Sequence, residues 1–301
     1  MKRYLMLLTL FLLPLKALAL NVFACEPQWG ALTQELAGDQ AKITVAIDAS
    51  QDPHHVQARP GLISRVRRAD LVVCTGGSLE VGWLPVLLQQ GNNPSVTHAP
   101  GLFYADKQID LLGKPTVLDR AQGDIHPDGN PHAHLDPHRL LKVAQALSAR
   151  LVAIDPAHAS LYQQRLADFS QRWQAAISKW EAEAAPLKGE PVIVHHDEWA
   201  YLLGWLGMTQ AGELEPKPGL PPTPSHLAEL VGVVKASGAR LVIYAPHNSP
   251  DASNWLAAHT SACAVQLPFT VGGNDKATEL FSLYQDSIDR LLAANQACQH
   301  G

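Results

Sequence analysis

Residues 157–187 read AHASLYQQRLADFSQRWQAAISKWEAEAAPL, with no glycine and no proline before Pro186. Tyr162, Leu166, Phe169, Trp173, Ile177, Trp180 and Ala184 recur at steps of three and four, which lines one face of a helix with apolar side chains and leaves the other polar. At 1.5 Å per residue such a helix reaches roughly 45 Å, enough to run down two domains. The stretch therefore predicts a rigid connector, not a flexible linker. An ordinary core helix is the plainer alternative, and the length and polar face speak mildly against it.

Outward from this helix, both flanks alternate apolar β-branched runs with amphipathic stretches. On the amino-terminal side these are NVFAC (21–25), WGALTQELAG (29–38), KITVAID (42–48), GLISRVRRA (61–69) and DLVVCTGG (70–77). On the carboxyl-terminal side PVIVHH (191–196), WAYLLGWLGM (199–208), PSHLAELVGVVKASGA (224–239) and RLVIYAP (240–246) repeat the scheme. Such alternation marks a parallel sheet wrapped by helices. LISRVRRADLVVCTG (62–76) and LAELVGVVKASGARLVIYAP (227–246) are alike enough to imply two related units. The expected fold is α/β, with two similar lobes, 20–156 and 188–301, each a parallel sheet wrapped by helices, joined by the long rigid helix 157–187. Proline-rich ELEPKPGLPPTPSHL (213–227) predicts an ordered surface loop near the site, closed by Thr223 as helix cap and Pro224 as first helical residue.

The first 19 residues carry two basic residues, an apolar run too short to span a membrane, and the small-x-small Ala17-Leu18-Ala19. They predict a cleaved export signal, with the mature chain starting near Leu20. Losing Lys2, Arg3 and Lys16 moves the formal charge from −5 to −8, which argues against nucleic acid as a partner. Cys25 could be imagined as a lipid-bearing cysteine, but it lies past the cleavage site behind bulky Phe23. Four cysteines in an exported chain lean towards two disulfides. Three connectivities are possible. Cys25 with Cys74 is favoured, because both end short apolar strands that could lie side by side, and Cys263 with Cys298 then remains.

Histidine and carboxylate gather in GDIHPDGNPHAHLDPH (123–138), QDPHH (51–55) and VIVHHDEW (192–199). Three separated clusters of this kind imply one shared site. In parallel α/β units ligands sit beyond the carboxyl ends of strands, where His54 and His196 fall, while His132 precedes an amphipathic helix. Three imidazoles and a carboxylate would make a tetrahedral metal site. His98, His158, His226, His259 and His300 read as ordinary surface or core residues, and Asp52 and Asp136 as turn or cap residues.

DPHHVQARP (52–60), NPHAHLDP (130–137), HHDEWAYLLGWLGM (195–208) and FTVGGNDKATELFSLYQDSIDRLL (269–292) resemble the motifs of the zinc- and manganese-specific solute-binding proteins of bacterial ABC importers. The resemblance covers essentially the whole mature chain. It implies a periplasmic binding protein, not an enzyme, monomeric, that delivers its ion to a membrane permease, with a periplasmic metallochaperone as a further candidate partner. It implies His54, His132 and His196 as nitrogen ligands and Asp275 as the oxygen ligand. Where the family has an aromatic two residues after the second ligand, this chain has His134, which leaves the choice between His132 and His134 open, with His132 kept as the ligand. His126, His134 and His138 form a candidate secondary capture set. Three imidazoles and one carboxylate favour Zn2+ over manganese, which prefers oxygen. The rival reading is an exported zinc hydrolase, with His132-x-His134 as metal ligands and Glu198 as general base. No H-E-x-x-H or nucleophile elbow supports it.

Overall fold

The computed structural model describes residues 19–116, 123 and 125–298, so the expected signal segment lies outside the described residues save for its last position. The amino-terminal lobe contains β1 (Leu20–Ala24), α1 (Pro27–Ala37), β2 (Ala41–Val45), α2 (Pro60–Arg67), β3 (Leu71–Cys74), α3 (Leu84–Gly91) and β4 (Leu102–Tyr104). Two long helices follow, α4 (Pro137–Ile154) and α5 (Ala159–Glu183). The second lobe is β5 (Pro191–Val194), α6 (Ala200–Leu206), β6 (Thr209–Glu213), α7 (Pro224–Ser237), β7 (Leu241–Tyr244), α8 (Asp251–Ala258) and β8 (Cys263–Gln266), closed by α9 (Leu280–Ala297).

Among the described residues the strands form two four-stranded sheets, β2-β1-β3-β4 and β6-β5-β7-β8, parallel throughout. The two orders are the same, which accounts for the likeness of 62–76 and 227–246: each is the helix and third strand of its lobe. β3 and the first three residues of β7 are buried along their length, as strands covered by helices on both faces must be. β4, β6 and β8 carry no pattern of their own; TQAGE of β6 is an edge segment recruited by its neighbour.

The expected stripe of α5 is the face it buries: Tyr162, Phe169, Trp173, Ile177 and Trp180 are all enclosed, and Leu166 is half-buried. The helix packs on α1 and α4 of the first lobe and on α9 beyond the second. Phe169 stacks on Trp173 with ring centroids 5.1 Å apart, and Trp180 stacks on Tyr284 of α9 at 5.1 Å. Their polar edges are satisfied: Trp173 Nε1 donates to the Pro137 carbonyl at 2.9 Å and Trp180 Nε1 to Gln285 at 3.0 Å. One hydrophobic core runs through this seam into both sheets, taking in Val22 and Val73 as well as Val192 and Ile243. Smaller cores lie on the outer face of each sheet.

Disulfides join Cys25 to Cys74 and Cys263 to Cys298, the pairing favoured from the strand ends. β1 and β3 are neighbours, so their last cysteines adjoin.

Because one core serves both lobes, they should unfold together. Trp173→Ala should lower the unfolding free energy by about 3–5 kcal/mol, as for other buried aromatics, in a single denaturant transition read by circular dichroism. Two resolved transitions would instead mean that the lobes are independent.

Candidate metal centre

The turn after β2 delivers His54, the segment between β4 and α4 delivers His126 and His132, and the end of β5 delivers His196. Their rings converge. Centroids of His54 lie 5.3, 5.5 and 5.7 Å from those of His126, His132 and His196, and His132 lies 6.1 and 5.9 Å from His126 and His196. Ligand-capable atoms of His54, His126 and His132 all fall within 4.8 Å of one another. Beside them is a cavity of about 200 Å³ lined by Gly113, Pro115, Ile125, Asn130, Asp197 and Pro218 as well as His126, His132 and His196.

Three rings are held by the nitrogen on their outer side. His54 Nδ1 is 2.8 Å from Asp52, whose carboxylate also accepts from the His54 backbone N–H at 2.9 Å. His196 Nδ1 is 2.8 Å from Glu215, and His126 Nδ1 is 2.9 Å from the carbonyl of Gly77. Carboxylates and carbonyls accept only, so each Nδ1 carries the hydrogen and each Nε2 is left for the interior. His54 Nε2 and His126 Nε2 meet at 3.2 Å. This is the outer-shell arrangement that fixes tautomer and orientation of metal-binding imidazoles.

His132 is 1 % exposed, and both of its ring nitrogens are buried without a hydrogen-bond partner. Each buried polar atom left without a partner costs about 1–3 kcal/mol, and a cation at the convergence of the rings would take the lone pair of one of the two nitrogens. Burial foremost, then repulsion from His54, His196, His126 and His134, press the His132 basicity well below its ordinary value, so the ring stays neutral with a lone pair to give. Burial acts the same way on His196, but the Glu215 hydrogen bond and the charges of Glu198, Glu215 and Glu213 outweigh it and lift this imidazole to about 9. Burial opposes ionisation of Asp52 too, yet His54 holds it well below the usual carboxylate range.

The remaining expected residues lie elsewhere. His134 is buried with Nε2 2.9 Å from the Phe269 carbonyl and its ring 4.9 Å from the Phe269 ring, and burial pushes it down to about 4. It is a packing residue. His138 is exposed on the first turn of α4 and bonds Glu181 of α5 at 2.8 Å. Asp136 caps that helix through the N–H groups of His138 and Arg139, which carries His138 to the outer surface. The expected capture set therefore does not assemble: His126 sits with His54 and His132, and the other two are dispersed. Asp275 is exposed in the turn between β8 and α9 and belongs to no group of close ligand atoms among the described residues. Asn274 Oδ1 accepts from Lys276 and Ala277 N–H while its amide donates to Asp286, a turn that leaves the Asp275 carboxylate at the surface.

Sequence reading took Asp52 as a turn former and passed over Glu215 and Gly77 as partners of the site histidines. It also cast Glu198 as a general base. Glu198 is instead sealed, with a 2 % exposed side chain bonded to His247 at 3.1 Å. A further group, Cys25, Cys74 and Glu80, lies close, but both sulfurs are consumed in the disulfide.

A family model described as zinc-uptake complex component A, periplasmic, matches residues 22–294. Among curated proteins the chain is 23 % identical over 234 residues to the zinc-binding lipoprotein AdcA of Streptococcus pneumoniae serotype 4, covering 74 % of this chain and 44 % of that protein. It is 29 % identical over 119 residues to the high-affinity zinc uptake system protein ZnuA of Brucella abortus, covering 40 % and 36 %. It is 24 % identical over 168 residues to the manganese ABC transporter substrate-binding lipoprotein PsaA of Streptococcus anginosus, covering 55 % and 50 %. The chain thus spans half or less of the length of these relatives. Among solved structures a crystal structure of ZnuA superposes with a TM-score of 0.74 at 20 % identity, covering 90 % of this chain and 99 % of that one. A manganese-bound periplasmic metal-binding protein from Candidatus Liberibacter asiaticus gives 0.73 at 18 % identity, covering 91 % and 98 %.

An ion reaching His196 Nε2 must expel the proton that the carboxylates hold there below pH of about 9. Calorimetry at pH 7.5 in buffers of different ionisation enthalpy should therefore show about one proton released per ion bound. Glu215→Gln should reduce that release and weaken binding by about 10–100-fold; unchanged release would mean that Glu215 does not set the protonation of His196.

Proposed function

Since the chain belongs to the family of the periplasmic zinc-uptake complex component A, we propose that it binds Zn2+ between its lobes and delivers it to an ABC permease for import. In this reading it is exported to the periplasm by a cleaved leader at 1–19, works as a monomer, and can receive its ion from a periplasmic metallochaperone. The observation that carries the reading is His132, buried with both ring nitrogens unpartnered at the point where three other imidazoles converge.

Imidazole nitrogens favour zinc over manganese, which is better served by carboxylate and water. His54, His126 and His132 come from the first lobe and His196 from the second, so a bound ion would pin the lobes through side chains of each. Asp275 remains the candidate oxygen ligand, and its entry would require the turn after β8 to move inward. A binding role is supported over hydrolysis by the pairing of Glu198 with His247, which ties one carboxylate oxygen to a neighbouring imidazole.

The test is competitive metal titration of the metal-stripped protein beside His54→Ala, His126→Ala, His132→Ala, His196→Ala and Asp275→Ala. One zinc per chain is expected, weakened more than about 100-fold by loss of an imidazole ligand, a larger effect than outer-shell changes give, with manganese a poor competitor. Strong loss in His126→Ala and little in Asp275→Ala would assign the fourth position to His126, and the reverse would assign it to Asp275. Manganese binding as tight as zinc would overturn the choice of metal.

A further inference from the structure

Strand order reverses about β1 and β3 in the first lobe, so the crevice at their carboxyl ends is where a doubly wound sheet has room for function. Glu26 and Glu80 fill it, 1 % and 3 % exposed. The two carboxyl groups meet over Thr75, and Glu26 Oε1 is buried with no hydrogen-bond partner among the described residues. Glu80 accepts from the backbone N–H of Thr75 at 2.7 Å and of Gly76 at 3.0 Å, and Glu26 accepts from the Thr75 hydroxyl at 2.9 Å. Trp29 Nε1 donates to the same hydroxyl at 2.8 Å. No lysine, arginine or histidine acts on either carboxyl among the described residues.

Two carboxylates in contact without a cation cannot both be ionised in so dry a place. Burial, the largest influence, raises both acids; Glu80 raises Glu26 further by its charge, whereas Glu26 acts to lower Glu80. Tyr104 at the end of β4 also faces Glu80, and it is pushed up to about 12 by burial, then by Glu80 and Asp106. Asp106 lies across the turn, accepts from Gly77 N–H at 2.9 Å and is met by Lys107 at 2.9 Å. The segment Thr75–Gly77 is thus gripped by Glu80 on one side and Asp106 on the other, with Gly76 and Gly77 at φ of 81° and 60°. Its next outward contact is the Gly77 carbonyl that holds His126 Nδ1.

We infer that Glu26 and Glu80 share one proton and that this pair is a positioning device for His126, setting through the Thr75–Gly77 turn the carbonyl that orients the ring. The inference rests on His126 being a ligand of the proposed site. The disulfide between Cys25 and Cys74 ties together the residues that precede Glu26 and Thr75, so the pair cannot relieve its repulsion by drawing the strand ends apart.

An acid whose folded pKa is raised binds its proton more tightly when folded, so its penalty is absent below the unfolded value near pH 4.3 and grows as pH rises through the folded one. The metal-free protein should accordingly lose thermal stability between pH 5 and 8. Glu26→Gln, which supplies the bridging hydrogen permanently, should melt close to the parent at pH 5 and above it at pH 8. Superimposable melting profiles of parent and variant would show that no proton is shared. For positioning, Glu80→Ala should weaken zinc binding by about tenfold, the low end for an outer-shell change, in the parent, and leave it unaltered when His126→Ala is already present. Equal weakening in both backgrounds would show that the pair does not act through His126. Were no zinc bound at all, the proposed function would fail while the metal-free melting profile still reported on the proton.

Discussion

The aromatic seam between α5 and α9 is the constraint on which the rest depends. Trp173, Trp180, Phe169 and Tyr284 interlock there, and the core they anchor reaches both sheets without a break. Aromatic packing of this density has few alternative arrangements. The distance between the strand ends of the two lobes is set by it. Histidines on short turns at those ends can then meet within a few ångströms although they are 142 residues apart in sequence between His54 and His196.

Within that frame, the site is organised by acceptors that face away from its centre. Asp52, Gly77 and Glu215 each occupy one nitrogen of a histidine and so present the other. Carboxylate neighbours make His196 basic, while the dry surroundings keep His132 neutral. Imidazoles at one convergence therefore hold different protonation states before any ion arrives. An ion bound there would displace a proton mainly from the ring of the second lobe.

Much of the architecture was legible because it rests on short-range pattern. The α5 stripe, the apolar strands β1, β3, β5 and β7 and the Thr223–Pro224 helix start follow from residues near one another in sequence, and the Cys25–Cys74 disulfide follows from the apolar runs that end in its cysteines. Edge strands such as β6 were not, because their pairing is decided by a neighbour and not by their own residues. Motif register brought His54, His132 and His196 into view, but not the place of His126, which depends on where a long loop returns. His138 and Asp275 show how local turns place a residue of the right type: a helix cap carries His138 outward, and an Asn-stabilised turn holds Asp275 at the surface. Carboxylates that serve a histidine from outside the motif, Glu215 above all, leave no signal beyond lying in a loop already expected near the site.

Phe269 gives the convergence of imidazoles a wall. Its ring packs edge-on against His132, His134, Trp199 and His247 at once, with centroids between 4.9 and 5.9 Å. On that side the His132 ring therefore rests against an aromatic face. The cavity beside His126 and His196, walled by Asn130, Asp197 and the backbone around Gly113 and Pro218, is the side with polar footing. The convergence of imidazoles is therefore backed by an aromatic wall on one face and adjoins open space on another.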